Sequence, residues 1–365
     1  MRFRLPHDSR GVRLRGGVGL SLKNGILLGK EWGNHLNKRI LIAVVLIVVV
    51  VAAVFGGLQF FKPSGPERLR IGYMAAATYA LVWVAYEKGY FEEEGLDVAL
   101  YQYDNVGDLA TALSKGEIDG CPLTAVAAAA FAEKAKLLVV AGNSTHGTGL
   151  ACRPEDAAKL KTLKDLDGKK LATVLYVPGD IVLRYKLKQE EVNVDLLVLF
   201  TAADALTSLK KGNVDAALLW EPFVSLAEEE GLTVFLWDKD IYDITYPCCL
   251  QVFREKYARS HPDAVVKYLR ALLKAQKFCE EHPKEAAALA AKYLPMVPEE
   301  IVYKSVFYVD PRLGRTRNPL DVNLYMDDLV KFVEMMRELS VLSPRASQRF
   351  LQRVDVSFLS KAMSS

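Results

Sequence analysis

A twelve-residue segment occurs twice in this chain, and the recurrence constrains the fold more than any single motif. Asp108 to Asp119 reads DLATALSKGEID and Asp204 to Asp215 reads DALTSLKKGNVD, identical at six of twelve positions with an offset of 96. The identities are Asp108/Asp204, Thr111/Thr207, Leu113/Leu209, Lys115/Lys211, Gly116/Gly212 and Asp119/Asp215. Each copy reads as a short helix with an acid in its first turn and a glycine stop. Each leads into an apolar strand, a proline-containing turn (Cys121-Pro122, Glu221-Pro222) and a further helix. Helix–glycine–strand is a common unit on which unrelated segments converge, but here the flanks match as well. The strand–loop–helix at 68–88 is echoed by a strand over Lys169–Val174, a turn at Pro178-Gly179 and a helix over Asp180–Glu190. Two lobes of similar wiring are the simplest account.

Between these landmarks, strand and helix alternate. Strands are predicted over 68–73, 96–103, 117–121 and 136–142, with helices near 79–88, over 108–115 and from about Thr124. That pattern calls for α/β architecture with mainly parallel sheets flanked by helices. Further helices are predicted over 264–278, 283–293, from 298 and over 324–339, and this block most plainly packs back onto the first lobe. The chain then crosses between lobes twice, near Thr145–Cys152 and near Tyr242–Cys249, and two crossovers beside a cleft make a hinge. Lobe 1 is expected from 67–147 and 250–345, lobe 2 from 148–249, and a C-terminal tail over 346–365.

Charge separates the N-terminus from the rest. Residues 1–39 carry nine Lys/Arg against Asp8 and Glu31, a balance of +7; with +3 overall, the remainder is −4. An acidic body is not built to grip nucleic acid. Ile40 to Leu58 follows without a charge, nineteen residues, roughly 28 Å of helix, close to the thickness of a hydrocarbon core. Lys38 and Arg39 precede it directly, so the positive-inside rule places the basic arm (1–39) in the cytoplasm. Residues 40–58 are then a single-pass anchor in the cell membrane, 59–66 a linker, and the body extracytoplasmic. The alternative is a cleaved secretory signal with a poor site at Val54-Phe55-Gly56.

Five cysteines (Cys121, Cys152, Cys248, Cys249, Cys279) are too few and too irregular for a disulfide framework. They read as small buried thiols with at most one bridge. No Cys/His ligand set suggests a metal, and no cofactor motif or GxSxG, HExxH or GxGxxG signature is present. Asn143-Ser144-Thr145 matches a glycosylation sequon by pattern alone.

In open parallel sheets, ligands sit beyond the carboxyl ends of the strands, against helix N-termini that favour anionic groups. The loops in that position supply the candidate ligand-binding residues Thr78, Tyr79, Thr124, Gly179, Asp180, Trp220 and Glu221, with Thr145 and His146 at the first crossover. Each has a structural alternative. Thr78 and Thr124 suit N-caps, Asp180 suits the first turn of its helix, Trp220 suits a core, and His146 suits a hinge hydrogen bond. Glu221 is the sharpest candidate, because a carboxylate ending an apolar strand must meet a cleft, a cation or solvent.

Ile71-Gly-Tyr73, Ala85-Tyr-Glu-Lys-Gly-Tyr-Phe91, Glu94-Gly-Leu-Asp-Val98, Leu113-Ser-Lys-Gly116, Leu163-Lys-Asp-Leu-Asp-Gly-Lys-Lys-Leu171 and Asp215-Ala-Ala-Leu-Leu-Trp-Glu-Pro222 together carry a resemblance. Over about 67–340 the chain resembles the solute-binding proteins of ABC importers, in particular the nitrate/sulfonate/taurine and thiamine-precursor-binding group. The resemblance implies the two-lobed type II periplasmic-binding-protein fold, here preceded by one transmembrane helix. It also implies no enzymatic activity, a small solute held between the lobes, and delivery to a permease and an ATPase on separate chains. Two other readings stay open: an enzyme similar to those that make the thiamine pyrimidine, and a membrane-anchored ligand sensor.

Overall fold

The computed structural model describes residues 47–48, 65–242, 244–307, 309–310 and 315–364. Of the segments expected to form the arm, anchor and linker as far as Ser64, only Ile47 and Val48, a fragment of helix, fall within them. The rest of that expectation lies outside the described residues. Among the described residues no helix is long and apolar enough to cross a membrane.

Gly65–Ser365 is one compact unit built on two five-stranded sheets. The first has the order β2-β1-β3-β10-β4, from Glu67–Tyr73 (β1), Leu96–Gln102 (β2), Gly120–Thr124 (β3), Leu137–Thr145 (β4) and Pro247–Arg254 (β10). The second has the order β7-β6-β8-β5-β9, from Thr148–Cys152 (β5), Lys170–Val174 (β6), Asp195–Leu199 (β7), Ala216–Trp220 (β8) and Thr233–Trp237 (β9). The two orders are the same once the strands are matched. Each sheet contains one reversed strand: β10 runs antiparallel to β3 and β4, and β5 antiparallel to β8 and β9. The reversed strands are the two that follow the crossings between the sheets, each entering its new sheet from the hinge side.

The repeated segment turns out to be the punctuation of this wiring. Its copies form α2 (Val106–Lys115) and α5 (Ala202–Lys210), where α1 is Ala80–Glu87, α3 Ala125–Ala135 and α4 Pro178–Gln189. The caps Asn105 and Thr201 accept hydrogen bonds from the N–H of Asp108 (2.9 Å) and Asp204 (3.1 Å). Each cap side chain donates back to the same aspartate, at 2.7 and 2.6 Å. These reciprocal pairs satisfy N-terminal donors that a helix otherwise leaves open. Gly116 and Gly212 follow the helices with φ of +82° and +72°, a left-handed conformation that costs glycine least. Asp119 and Asp215 then clasp the neighbouring strand in the same way. Asp119 N–H donates to the Arg70 carbonyl and its carboxylate accepts from the Arg70 N–H (2.8 and 3.1 Å). Asp215 does both with Lys170, at 2.8 Å each.

Two local expectations shift. The strand expected over 117–121 lies at 120–124, so Pro122 is inside β3 and not in a turn. It opposes Gln251 of β10, while the β1–β3 pairing is confined to Ile71 and Gly120, which leaves the missing proline N–H little to disrupt. The segment expected as a tail, 346–365, is also not loose chain. Pro344–Leu351 (α11) and Ser357–Met363 (α12) are helices that bury Phe350, Phe358 and Leu359. Val139 of β4 donates to the Arg353 carbonyl and accepts from the Asp355 N–H, fastening the segment to the sheet edge.

The C-terminal helices follow the predicted order: α7 (Pro262–Glu281), α8 (Pro283–Ala291), α9 (Glu299–Val306) and α10 (Met326–Glu338), where α6 is Phe223–Glu229. Pro283 closes α7 and opens α8, since it fits the first turn of a helix but not its interior. The buried face of α7 (Val265, Tyr268, Leu269, Leu272, Phe278) packs on α1 and α12 over the first sheet. Other members of the block reach the second sheet's helices, α9 against α6 and α10 against α4.

Candidate ligand-binding cleft

The carboxyl ends of the parallel strands of both sheets meet at one cleft of about 400 Å³, counted with its open mouth. The first sheet's side contributes Met74, Ala76, Thr78, Tyr79, Val106 and Thr124. The second contributes Thr148, Val177, Pro178 and Trp220, and the crossing strand β10 adds Cys248 and Cys249. Thr124 is both a cap and a clasp. Its hydroxyl accepts from the Ala127 N–H at 3.2 Å and donates across the cleft to the Tyr176 carbonyl at 2.8 Å.

Four of the nine candidate residues therefore line the cleft: Thr78, Tyr79, Thr124 and Trp220. The other five are placed around it. Gly179 packs on Thr148, where a Cβ would come within 3.0 Å of that side chain. Asp180 turns inward, accepting from Thr173 (2.8 Å) and Arg184 (2.9 Å), and burial raises its pKa above the ordinary carboxylate value. Glu221 folds back onto α6, accepting from the N–H (3.1 Å) and hydroxyl (2.9 Å) of Ser225. Burial raises its pKa too, against the lowering charge of Arg317.

Thr145 and His146 sit under the cleft in the hinge. The Thr145 N–H donates to the Arg317 carbonyl at 2.8 Å. His146, at φ +53°, lies edge-on to Tyr246 with Nδ1 3.6 Å from Asp238. Asp238 ties both crossovers together. It accepts from the Thr148 N–H (2.8 Å) of the first and from the Tyr246 hydroxyl (3.2 Å) of the second. Burial would raise its pKa, but hydrogen bonds and charge from His146, the Thr148 N–H and Arg317 outweigh that and hold it low. Arg317 is buried against Gly147, whose φ of +90° and missing Cβ leave the guanidinium its space.

This layout places the chain. The profile of the NMT1-like family matches residues 62–295, more than half of the sequence. The chain belongs to the NMT1-like family. Among its relatives is a protein of Escherichia coli provisionally named an aliphatic sulfonates-binding protein, 25% identical over 280 residues, spanning 72% of this chain and 81% of that one. Among solved structures, the periplasmic aliphatic sulphonate binding protein SsuA of Escherichia coli superposes with a TM-score of 0.62 at 19% identity, over 80% of this chain and 92% of that one. The periplasmic nitrate-binding protein NrtA of Synechocystis gives 0.67 at 17%, over 82% and 89%. These structural likenesses establish the two-sheet periplasmic-binding fold, and the relatives are named as binding proteins.

In this NMT1-like chain, several parts of the cleft carry no signal in the sequence. Adjacent residues of a strand ordinarily face opposite sides, so Cys248 and Cys249 do not stand out as a pair. Register shifts around Pro247, Cys249 and Leu250 bulge β10 and bring both side chains to the cleft, with sulfurs 3.8 Å apart. The hydrogen bond between them lowers Cys248 and raises Cys249. All five cysteines are unbridged and buried. Under Thr78 runs a buried chain: Tyr268 hydroxyl to Gln251, Gln251 amide to Asn143, and Asn143 amide to the Thr78 carbonyl, at 2.9, 2.8 and 2.8 Å. Asn143 is thus a fully buried structural link, inaccessible as a sequon. Among the described residues no group of three or more His, Cys, Asp or Glu is placed to hold a metal.

Proposed function

We propose that this chain is the solute-binding component of an ABC importer, tethered at the outer face of the cell membrane. The observation that carries this reading is the position of the cleft, with walls drawn from both sheets and both crossovers beneath it. Residues 67–147 and 250–345, with α11 and α12, make lobe 1, and 148–249 make lobe 2. A solute touching both walls biases an open–closed equilibrium toward closure, and the closed form docks on a permease served by an ATPase, each on its own chain. Thr78, Tyr79, Thr124 and Trp220 contact the solute. Thr145 and His146 act at the hinge, and Gly179, Asp180 and Glu221 support the walls. Residues 40–58 anchor the chain, N-terminus inside, which keeps the binding domain at high local concentration near its permease.

A thermal-shift screen of the full chain against sulfonates, nitrate, pyrimidines and flavins tests the reading. A hit raises Tm further as its concentration rises, roughly with its logarithm above Kd, and Trp220→Ala lowers affinity for it by about ten-fold, the loss of one good contact. A hit bound equally well by Trp220→Ala and Thr124→Val would place the site elsewhere. For the tether, membrane fractionation with N-terminal sequencing decides: a mature chain starting at Gly57 and found in the soluble fraction refutes it.

A further inference from the structure

The helix N-termini around the cleft are the natural places for an anion, because N–H groups and the helix dipole favour negative charge there. In this chain three of them are already answered from within, while the helical turn at Ala77–Tyr79 has no side-chain cap. The α3 terminus is capped by Thr124, whose hydroxyl takes the Ala127 N–H and spends its own hydrogen on Tyr176. The α4 terminus begins with Pro178, which has no N–H, and carries Asp180 in its first turn. At α6, the Glu221 carboxylate occupies the Ser225 N–H.

The walls are as neutral as the helix ends. Among the described residues lining the cleft none is charged, and Met74, Tyr79, Val106, Val177 and Trp220 give it a mainly apolar surface. Arg317 is buried beside Gly147 and acts on Glu221 and Asp238. Two acids close in sequence to lining residues are committed as well, Asp180 to Arg184 and Glu221 to Ser225. Burial raises both of their carboxyls above the ordinary carboxylate value. An ion entering the cleft would lose its hydration and meet no opposite charge, and burying an unpaired charge is strongly unfavourable.

We infer that the cleft selects an uncharged solute with a mainly apolar body, in contrast to the sulfonate and nitrate named for its relatives. The inference rests on the solute-binding reading and concerns the same site. Thr148, whose hydroxyl lies 2.7 Å from that of Tyr246, is also committed. The solute's polar group therefore meets the side of the cleft at Thr78.

The test is calorimetric titration of the full chain in detergent with a solute library arranged as shape-matched pairs that differ in charge. Butane-1-sulfonate is set against butane-1-sulfonamide, benzoate against benzamide, and nitrate is included. The expected result is that the uncharged member of a binding pair is preferred by about ten-fold or more. Tighter binding of the anion in any pair, or of nitrate over every uncharged solute, overturns the inference while leaving the solute-binding reading intact. No binding across the whole library overturns the reading itself, and the inference with it. Val106→Lys adds a cation at the rim and is expected to shift preference toward the anion by about ten-fold. If Val106→Lys fails to fold, Val177→Lys on the opposite wall replaces it. A folded variant with unchanged preference overturns the inference.

Discussion

The two sheets share one strand order yet differ in how they are buried. In the first sheet β4 and β3 are buried along their whole length, with α3 against both and α12 against β4. In the second, β7 and β9 are only half covered, with Val198 51% and Phe200 68% exposed at that edge. The aspartate clasps differ likewise. Asp119 is buried and held by Arg70 (2.8 Å) and Arg254 (2.5 Å), whereas Asp215 only accepts from a backbone N–H in an exposed position. One wiring scheme thus carries two unequal covers. Most of the C-terminal block thickens the first sheet into a broad platform, while the second keeps a smaller core.

The sharpest way to break this comparison is to hollow out the platform. Trp83 is fully buried and stacked on Tyr293, with centroids 5.1 Å apart and planes at 4°. Trp83→Ala is expected to cost about 3–5 kcal/mol in urea denaturation. A cost under about 1 kcal/mol, the scale of an ordinary surface change, would mean the C-terminal block contributes little there.

The clasps come next. Asp119→Asn is expected to cost about 2 kcal/mol, because two partly exposed arginines lose their shared partner. Asp215→Asn should cost about 0.5–1 kcal/mol. Burial alone would raise the Asp119 carboxyl, but hydrogen bonds from Arg70 and Arg254 hold it below the ordinary value. Its contribution is therefore full above the unfolded-state pKa, near pH 4, and is lost as pH falls through the lower folded-state value. The stability gap between wild type and Asp119→Asn should close over that range. Equal costs for the two variants at pH 7 would remove the distinction between the clasps.

Gly116 and Gly212 permit a finer comparison. Alanine at either must adopt a positive φ, at about 1 kcal/mol each. At Gly116 a Cβ would also meet Arg254 at 2.9 Å, while at Gly212 the nearest atom is Arg153 at 3.8 Å. Gly116→Ala should lower Tm further than Gly212→Ala. Smallest of all, Phe200→Ser at the exposed edge should change stability by less than about 0.5 kcal/mol. A larger loss would show that edge to be part of a core.

Much of the fold is legible in the sequence. The capping acids, the glycine stops and the alternation of elements announce the α/β wiring, and the motifs through Glu221-Pro222 point to the family. The candidate site is legible only as a neighbourhood. Thr124 combines two roles, cap and cleft contact, that its sequence position leaves as alternatives. Asp180 and Glu221 stand out because acids at strand ends must find a partner, and they do, in Arg184, Thr173 and Ser225, away from the cleft. Val106, Thr148 and the cysteine pair give no signal, because apolar residues, a threonine and a strand position look alike wherever the strand lies.

The division between sequence and tertiary structure follows the range of the interactions involved. Sequence alone determined the start and stop of the repeated helices, because capping bonds and glycine dihedrals act within a few residues. Tertiary structure decided that β5 and β10 run reversed, that a bulge turns Cys248 and Cys249 to one side, and that Arg317 lies buried beside the first crossover, which Asp238 ties to the second. Those outcomes depend on groups far apart in the chain meeting in space, and so does the neutral cleft, whose uncharged lining is gathered from both sheets.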